Sequence, residues 1–380
     1  MEYTRIDVDC HIQENLECWT SRMSATKWGD RIPRVVFGEE KDEWYVDGKP
    51  TGFLTICPAV MPDRVTWPTY WSQIPTGVYD AKERTKYMDH DGIDLEVMYA
   101  HVTGVSGDRF LGMEPNFELE CVAAYNDYQT EEWVQECPGR FMALCVPPHS
   151  SIDVTVAEVS RCAKMGHGGV NMYGTPHLRG LPNYSDQYWD PLWATCQDAG
   201  IAVHTHGSGS APPSMRLEPL ASWDHRRTAA TGAAAGFSIQ PQYFSNFLFA
   251  GVLERYPTLN FVSAESGIGW LPWLLEACDR AWHQGELWKY GLPLKPSDYF
   301  HRQCYVDFWY ERSAIQEYRH VIGVDRIMWE TDFPHPTSLW PNTKEFLARA
   351  MEGVPEDEQR MMLCENAKRV YHLTTRPDID

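Results

Sequence analysis

The feature that most constrains this chain is a repeated alternation. Short runs rich in β-branched and aromatic residues are each separated from the next by a helix-like stretch. Eight such runs occur, at 4–11, 93–99, 141–146, 169–173, 201–206, 260–264, 304–308 and 326–330. Gly92 and Gly200 close helical stretches ahead of the second and fifth runs, and Pro147-Pro148 stops the third. Strands that alternate with helices predict a parallel sheet, because parallel neighbours need a long crossover. Eight is the count of a (β/α)8 TIM-type barrel. An open doubly wound sheet is the competing layout, but no GxGxxG follows the first run. Residues 15–80 break the alternation. They are rich in Trp, Pro and Gly and hold a hairpin, EWYV at 43–46 followed by the turn pair Asp47-Gly48. The expectation is one domain over 1–380, with 15–80 inserted after the first strand as a lid over the barrel mouth. A second irregular stretch, 207–231, follows the fifth strand.

Composition narrows the function classes. A formal net charge of −20 makes nucleic acid and anionic membrane surfaces poor partners, since both are polyanions. The 11 cysteines are odd in number, scattered singly and without a CxxC pair, which reads as reduced thiols. MEYTRIDVDCH at the start has no apolar run of a signal peptide, and no stretch approaches the roughly 18 apolar residues of a membrane span. The expected setting is cytoplasmic, with a small-molecule substrate and a homo- or hetero-oligomeric assembly. The 16 tryptophans read first as core mass and second as an aromatic pocket or subunit interface.

The chemistry-bearing residues gather at predicted strand ends. The first strand ends in Asp9-Cys10-His11, and alternation puts Asp9 and His11 on one face. Glu14 follows within reach. The fifth ends in His204-Thr205-His206-Gly207, two imidazoles on one side, and imidazole suits zinc, iron and similar ions. The sixth ends in Glu265, a carboxylate that is costly inside a barrel unless paired or bound to a cation. The eighth ends in Glu330-Thr331-Asp332-Phe333-Pro334-His335. Here Asp332 is the candidate acid/base, with His335 close enough to share its site. Each segment alone has a structural alternative: a helix cap, a turn, or a buried histidine bonded to backbone. Four segments ending alike is what points to one metal-binding site at the strand ends. Lesser candidates are His101, His149, Asn171, Tyr173, Asp307 and Tyr310, with Arg216, Arg226 and Arg227 as possible anion contacts.

At these residues the chain resembles the amidohydrolase superfamily, in the amidohydrolase-related group that includes non-oxidative aromatic-acid decarboxylases. The resemblance rests on Asp9-x-His11-x-x-Glu14, His206 before its Gly-Ser turn, Glu265-Ser-Gly-x-Gly-Trp270, Thr331-Asp332-Phe-Pro-His335 and the tail Glu365-Asn-Ala-Lys-Arg-Val-Tyr371. It implies a distorted barrel holding divalent metal, with Asp9, His11, His206 and Asp332 as ligands and Asp332 doubling as proton shuttle. Two positions depart from the usual pattern: Asp9 stands for the first His of a His-x-His pair, and Glu265 for a His after strand six. The carboxylate excess, Glu14 and Glu265 included, would suit one or two ions, with iron or manganese favoured over zinc for a pair.

Three readings follow. The first is a metal-dependent enzyme that hydrolyses or non-oxidatively decarboxylates a small carboxylate or amide. In it the metal activates water or holds the substrate carboxylate, Asp332 moves the proton, and His335 and His204 assist. The second is a dinuclear Fe or Fe/Mn oxygenase on the same barrel. The third is a supporting, non-catalytic subunit of a hetero-oligomer.

Overall fold

The computed structural model describes residues 2–64, 66–207 and 225–375. Eight parallel strands follow one another in one sheet, and helices connect them, which is the (β/α)8 arrangement the alternation predicts. The chain divides into two compact units. Unit 1 runs from the N-terminus to His167 and adds Thr331–Thr343; unit 2 comprises Gly168–Glu330 and Lys344–Thr374.

Unit 1 contains the parallel strands β1 (Ile6–His11), β5 (Leu95–Tyr99) and β6 (Phe141–Cys145), and between β1 and β5 an antiparallel trio, β2 (Arg34–Val36), β3 (Glu43–Val46) and β4 (Lys49–Pro50). In β1 and β5 every residue is buried, charged ones included. Burial on both faces explains why the parallel strands read as continuous runs. The helix Ala81–Asp91 starts at Asp80, whose side chain accepts from Glu83 N, and ends at Gly92 in the left-handed region. Ser151 and Gly166 bound Ile152–Met165 in the same way. The predicted hairpin is present. Asp47 and Gly48 both have positive φ, 53° and 72°, as a two-residue turn between twisted strands requires. Its partner β2 was not anticipated, because RVV beside a proline is too short to signal a strand. The insertion has an aromatic core of its own: Trp44 is fully buried and stands edge-on to Trp19 at 5.4 Å.

Unit 2 carries β7 (Gly169–Met172), β8 (Ala202–His206), β9 (Phe261–Ala264), β10 (Cys304–Phe308) and β11 (Ile327–Trp329), each hydrogen-bonded in parallel to the next. Gly200 ends Asp190–Ala199 at φ 70° and launches β8. The tail that resembles a closing helix is helical, a π turn over Met361–Glu365 leading into Asn366–Val370. All 11 cysteines are buried and none forms a disulfide. Among the described residues no helix is long and apolar enough to cross a membrane.

Candidate metal centre

In unit 1, β1 delivers Asp9 and His11 to one face, and the chain leaving β11 comes alongside them. His11 N donates to Phe333 O at 2.7 Å, and Asp332 N to Asp9 O at 3.0 Å. The side chains converge. His11 Nε2 lies 3.5 Å from Asp9 Oδ1 and 3.5 Å from Asp332 Oδ1, and His335 Nδ1 lies 3.0 Å from Asp332 Oδ1. The His11 and His335 rings stack at 3.6 Å. Both carboxylates have no solvent exposure. Donor atoms of His11, Asp332 and His335 all fall within 4.8 Å of one another. Ligands about 2.1 Å from a shared ion sit roughly 3 to 3.5 Å apart, so this donor set fits a divalent cation. Asp9 and Asp332 bring two buried carboxylates to the His11 imidazole, a concentration of negative charge that a cation would offset.

The support behind the cluster is as specific as the cluster. Asp332 has φ 54°, a left-handed conformation that costs a non-glycine residue about 1 kcal/mol or more. Three groups hold it there. Asp7, two residues before Asp9, accepts from Thr331 N at 3.0 Å and Thr331 Oγ1 at 2.5 Å. Thr337 Oγ1 donates to Asp332 Oδ2. Arg84, fully buried on the helix Ala81–Asp91, gives Nη2 to His11 O and Phe333 O, both at 3.2 Å, and pairs with Glu96 at 2.8 Å. Its guanidinium lies 4.1 Å over the Phe333 ring. Burial, reinforced by Glu96, pushes the Asp7 carboxyl well above the usual carboxylate range.

Glu14 is not among the residues gathered around His11. Its oxygens accept from Val102 N at 2.9 and 2.8 Å and from Thr103 N at 3.2 Å, so it anchors the loop after β5. Burial raises its carboxyl to about 7 against those stabilising bonds. The loop carries His101, whose ring is 6.3 Å from His335 and 5.4 Å from Phe53 of the insertion. Burial, then His335, lowers the His101 pKa well below the usual imidazole value. Thr55, Ile56 and Cys57 of the insertion line a narrow cleft with His11, His101 and Pro334. His149 is bonded to Ser106 O at 2.8 Å, in a structural role.

In unit 2 the ends of β8 and β9 form a second pair. His206 Nδ1 lies 3.2 Å from Glu265 Oε2. Glu265, like Asp332, has a left-handed backbone, φ 48°. Gly207 makes room for it: a Cβ there would sit 2.4 Å from both Glu265 O and Oε2. Asp307 on β10 accepts from Ser266 N at 3.4 Å. His204 stacks on Tyr371 at 5.8 Å and fills the space a side chain at Gly169 would need. Burial, then the neighbouring His206, lowers its pKa to about 3, so it packs as a neutral imidazole. Tyr173 lies under the Arg179 guanidinium at 4.6 Å. Arg226 and Arg227 are exposed on the helix His225–Ala235, and Arg216 falls outside the described residues.

The residues that sequence reasoning passed over are Asp7, Arg84 and Glu311. Strand alternation gave no signal for Asp7, because the register of β1 shifts between Asp7 and Cys10. Arg84 had none, since a charged residue on a polar helix reads as solvated.

The amidohydrolase family model matches residues 8–373. No curated protein matches the sequence. Among solved structures, an amidohydrolase from Mycobacterium avium subsp. paratuberculosis K-10 is 21% identical over 98% of this chain and 100% of its own, with a TM-score of 0.74. A 5-carboxyvanillate decarboxylase from Novosphingobium aromaticivorans, complexed with manganese, is 18% identical over 98% and 96%, with a TM-score of 0.68. A dihydroxybenzoic acid decarboxylase from Polaromonas sp. JS666, also with bound manganese, is 18% identical over 97% of each chain, with a TM-score of 0.64. At these identities the likeness is one of fold. Matched over nearly its whole length and built on eight parallel strands with a buried Asp/His cluster at their ends, the chain belongs to the amidohydrolase family.

Proposed function

We propose that this protein is a metal-dependent enzyme that removes CO2 non-oxidatively from a small aromatic acid. The observation that carries the reading is the buried Asp332 carboxylate, held between two imidazoles with His335 Nδ1 at 3.0 Å. The manganese-bound decarboxylases among the structural neighbours support it. Asp9, His11 and Asp332 would hold the ion, and His206 is proposed as a further ligand from its place at the end of β8 and its match to the family pattern. Glu265, beside His206 Nδ1, is placed as the group that fixes the imidazole's tautomer and leaves Nε2 to bind. A divalent cation bound there would supply positive charge that stabilises the substrate carboxylate and the charge developing in the reaction.

The remaining chemistry belongs to the chain. A protonated Asp332 delivers its proton to the ring carbon that bears the carboxylate. The bond to that carboxylate then breaks, CO2 departs, and the electron pair restores the aromatic ring. His335 returns a proton to Asp332 across their 3.0 Å contact. The cleft wall of Thr55–Cys57 keeps water from the reacting carbon.

The test is a panel of hydroxy- and methoxy-benzoic acids incubated with manganese-loaded protein, with CO2 release and ring-proton incorporation from deuterated water followed together. Stoichiometric CO2 and one deuterium per product are expected. Amide or ester hydrolysis without CO2 would move the assignment to hydrolysis, in which Asp332 takes a proton from water instead. Two irons per chain with oxygen consumption would move it to the oxygenase reading.

A further inference from the structure

Unit 2 holds a further cavity of about 220 Å³ beside the loop that follows Glu265. Phe237, Trp270, Trp309 and Tyr310 wall it, and Glu311 joins them. The Trp309 ring stands edge-on to Phe237 at 5.2 Å and to Tyr310 at 4.7 Å. Tyr310 is 48% exposed, so the cavity has an open side.

Glu311 is held firmly and used only in part. Its Oε1 accepts from Ile268 N at 2.9 Å and Gly269 N at 3.0 Å. Its Oε2 is buried and has no hydrogen-bond partner among the described residues. The glycines of Glu265-Ser-Gly-x-Gly-Trp270 fit this arrangement. A Cβ on Gly267, at φ 62°, would lie 2.9 Å from Oε1 and 3.1 Å from Oε2. Capping the chain ahead of the helix Leu271–Gln284 explains Oε1. It leaves Oε2 unexplained, because a buried bare carboxylate oxygen is costly until a donor reaches it. Burial accordingly pushes the Glu311 carboxyl up.

We propose that this aromatic-walled cavity is a recognition subsite for a cationic nitrogen on a small ligand, an ammonium or a protonated ring nitrogen, with Glu311 Oε2 as its acceptor. Aromatic faces attract cations electrostatically, and a charged N–H matches the open oxygen. Among the described residues none that lines the cavity is cationic, whereas Glu311 brings a carboxylate to it. The chain's net charge of −20 also favours the approach of cations. The inference goes beyond the decarboxylase reading and does not rest on it.

The test is calorimetric binding to the full-length protein with two probes of similar shape, benzylammonium and benzyl alcohol. Benzylammonium should bind at least about 10-fold more tightly than the alcohol. Glu311→Gln keeps an acceptor for Ile268 N and Gly269 N and should weaken benzylammonium about 10-fold or more, with little change for the alcohol. Tyr310→Ala removes a half-exposed wall and should weaken benzylammonium about 3-fold or more even if the Gln variant fails to fold. Equal binding of the two probes, undiminished benzylammonium binding in a folded Gln variant, or no ammonium binding by the parent protein would each overturn the proposal. Turnover is not read, so a negative result leaves the decarboxylase assignment standing, and loss of that assignment leaves this subsite standing.

Discussion

Asp332 in unit 1 and Glu265 in unit 2 use the same backbone device and are braced by different means. Each follows a buried parallel strand, and each holds its carboxylate in place with a left-handed residue, φ 54° and 48°. Behind Asp332 stand charged and polar side chains: Asp7 on the Thr331 backbone and hydroxyl, and Arg84 across two carbonyls. Beside Glu265 stand the missing side chain of Gly207 and the buried amide of Gln240, whose Nε2 donates to Glu265 O at 3.3 Å. A polar brace fixes direction as well as position. That difference suits Asp332 as the proton carrier and Glu265 as a partner that orients one histidine.

The comparison can be broken at several points. Arg84→Met should have the largest effect. It strands Glu96 as an unpaired buried carboxylate, at about 3–5 kcal/mol, and frees the His11 and Phe333 carbonyls. Chemical denaturation measures the loss, and a stability unchanged within 1 kcal/mol would show that the polar brace is not needed. Asp332→Asn should lower turnover about 100-fold or more while the protein still folds. Near-normal turnover would remove Asp332 from the chemistry and the contrast with Glu265 with it.

Gly207→Ala should cost about 1–3 kcal/mol by overpacking against Glu265, seen as a lower melting temperature. A neutral result would mean that the loop yields and that the space does not hold Glu265. Smallest per step is a pH effect. Glu14 is raised by burial from 4.5 to about 7, so the native state holds its proton more tightly than the unfolded chain does. Its stability contribution is full below about pH 4.5 and lost as pH rises through 7, at no more than about 1.4 kcal/mol per pH unit. Glu14→Gln should flatten the metal-free stability curve over that interval. An unchanged slope would mean that another group sets it.

Much of the fold was legible because the signals are local. The eight runs match the eight strands to within two residues at most ends, since burial on both faces makes each run apolar and glycine is needed where a helix stops, as at Gly92 and Gly200. Asp9 and His11 could be paired from strand alternation alone. His204 and His206 could not be told apart, because both lie on one face of β8. What separates them is Tyr371, 167 residues from His204 in sequence, against which the His204 ring stacks. Glu14 looked like a ligand from its spacing, yet the amides of Val102 and Thr103 take up its oxygens.

The sequence by itself therefore determined the class of fold, the strand ends and the residue types available there, because these depend on periodicity and on backbone freedom a few residues long. Only the tertiary structure decided which carboxylates converge and which are spent on backbone amides. It also decided that Arg84 and Asp7 stand behind the site and that Glu311 leaves an oxygen open. Those outcomes depend on distances between residues tens to hundreds of positions apart, where burial makes each unmet charge expensive and each met one specific.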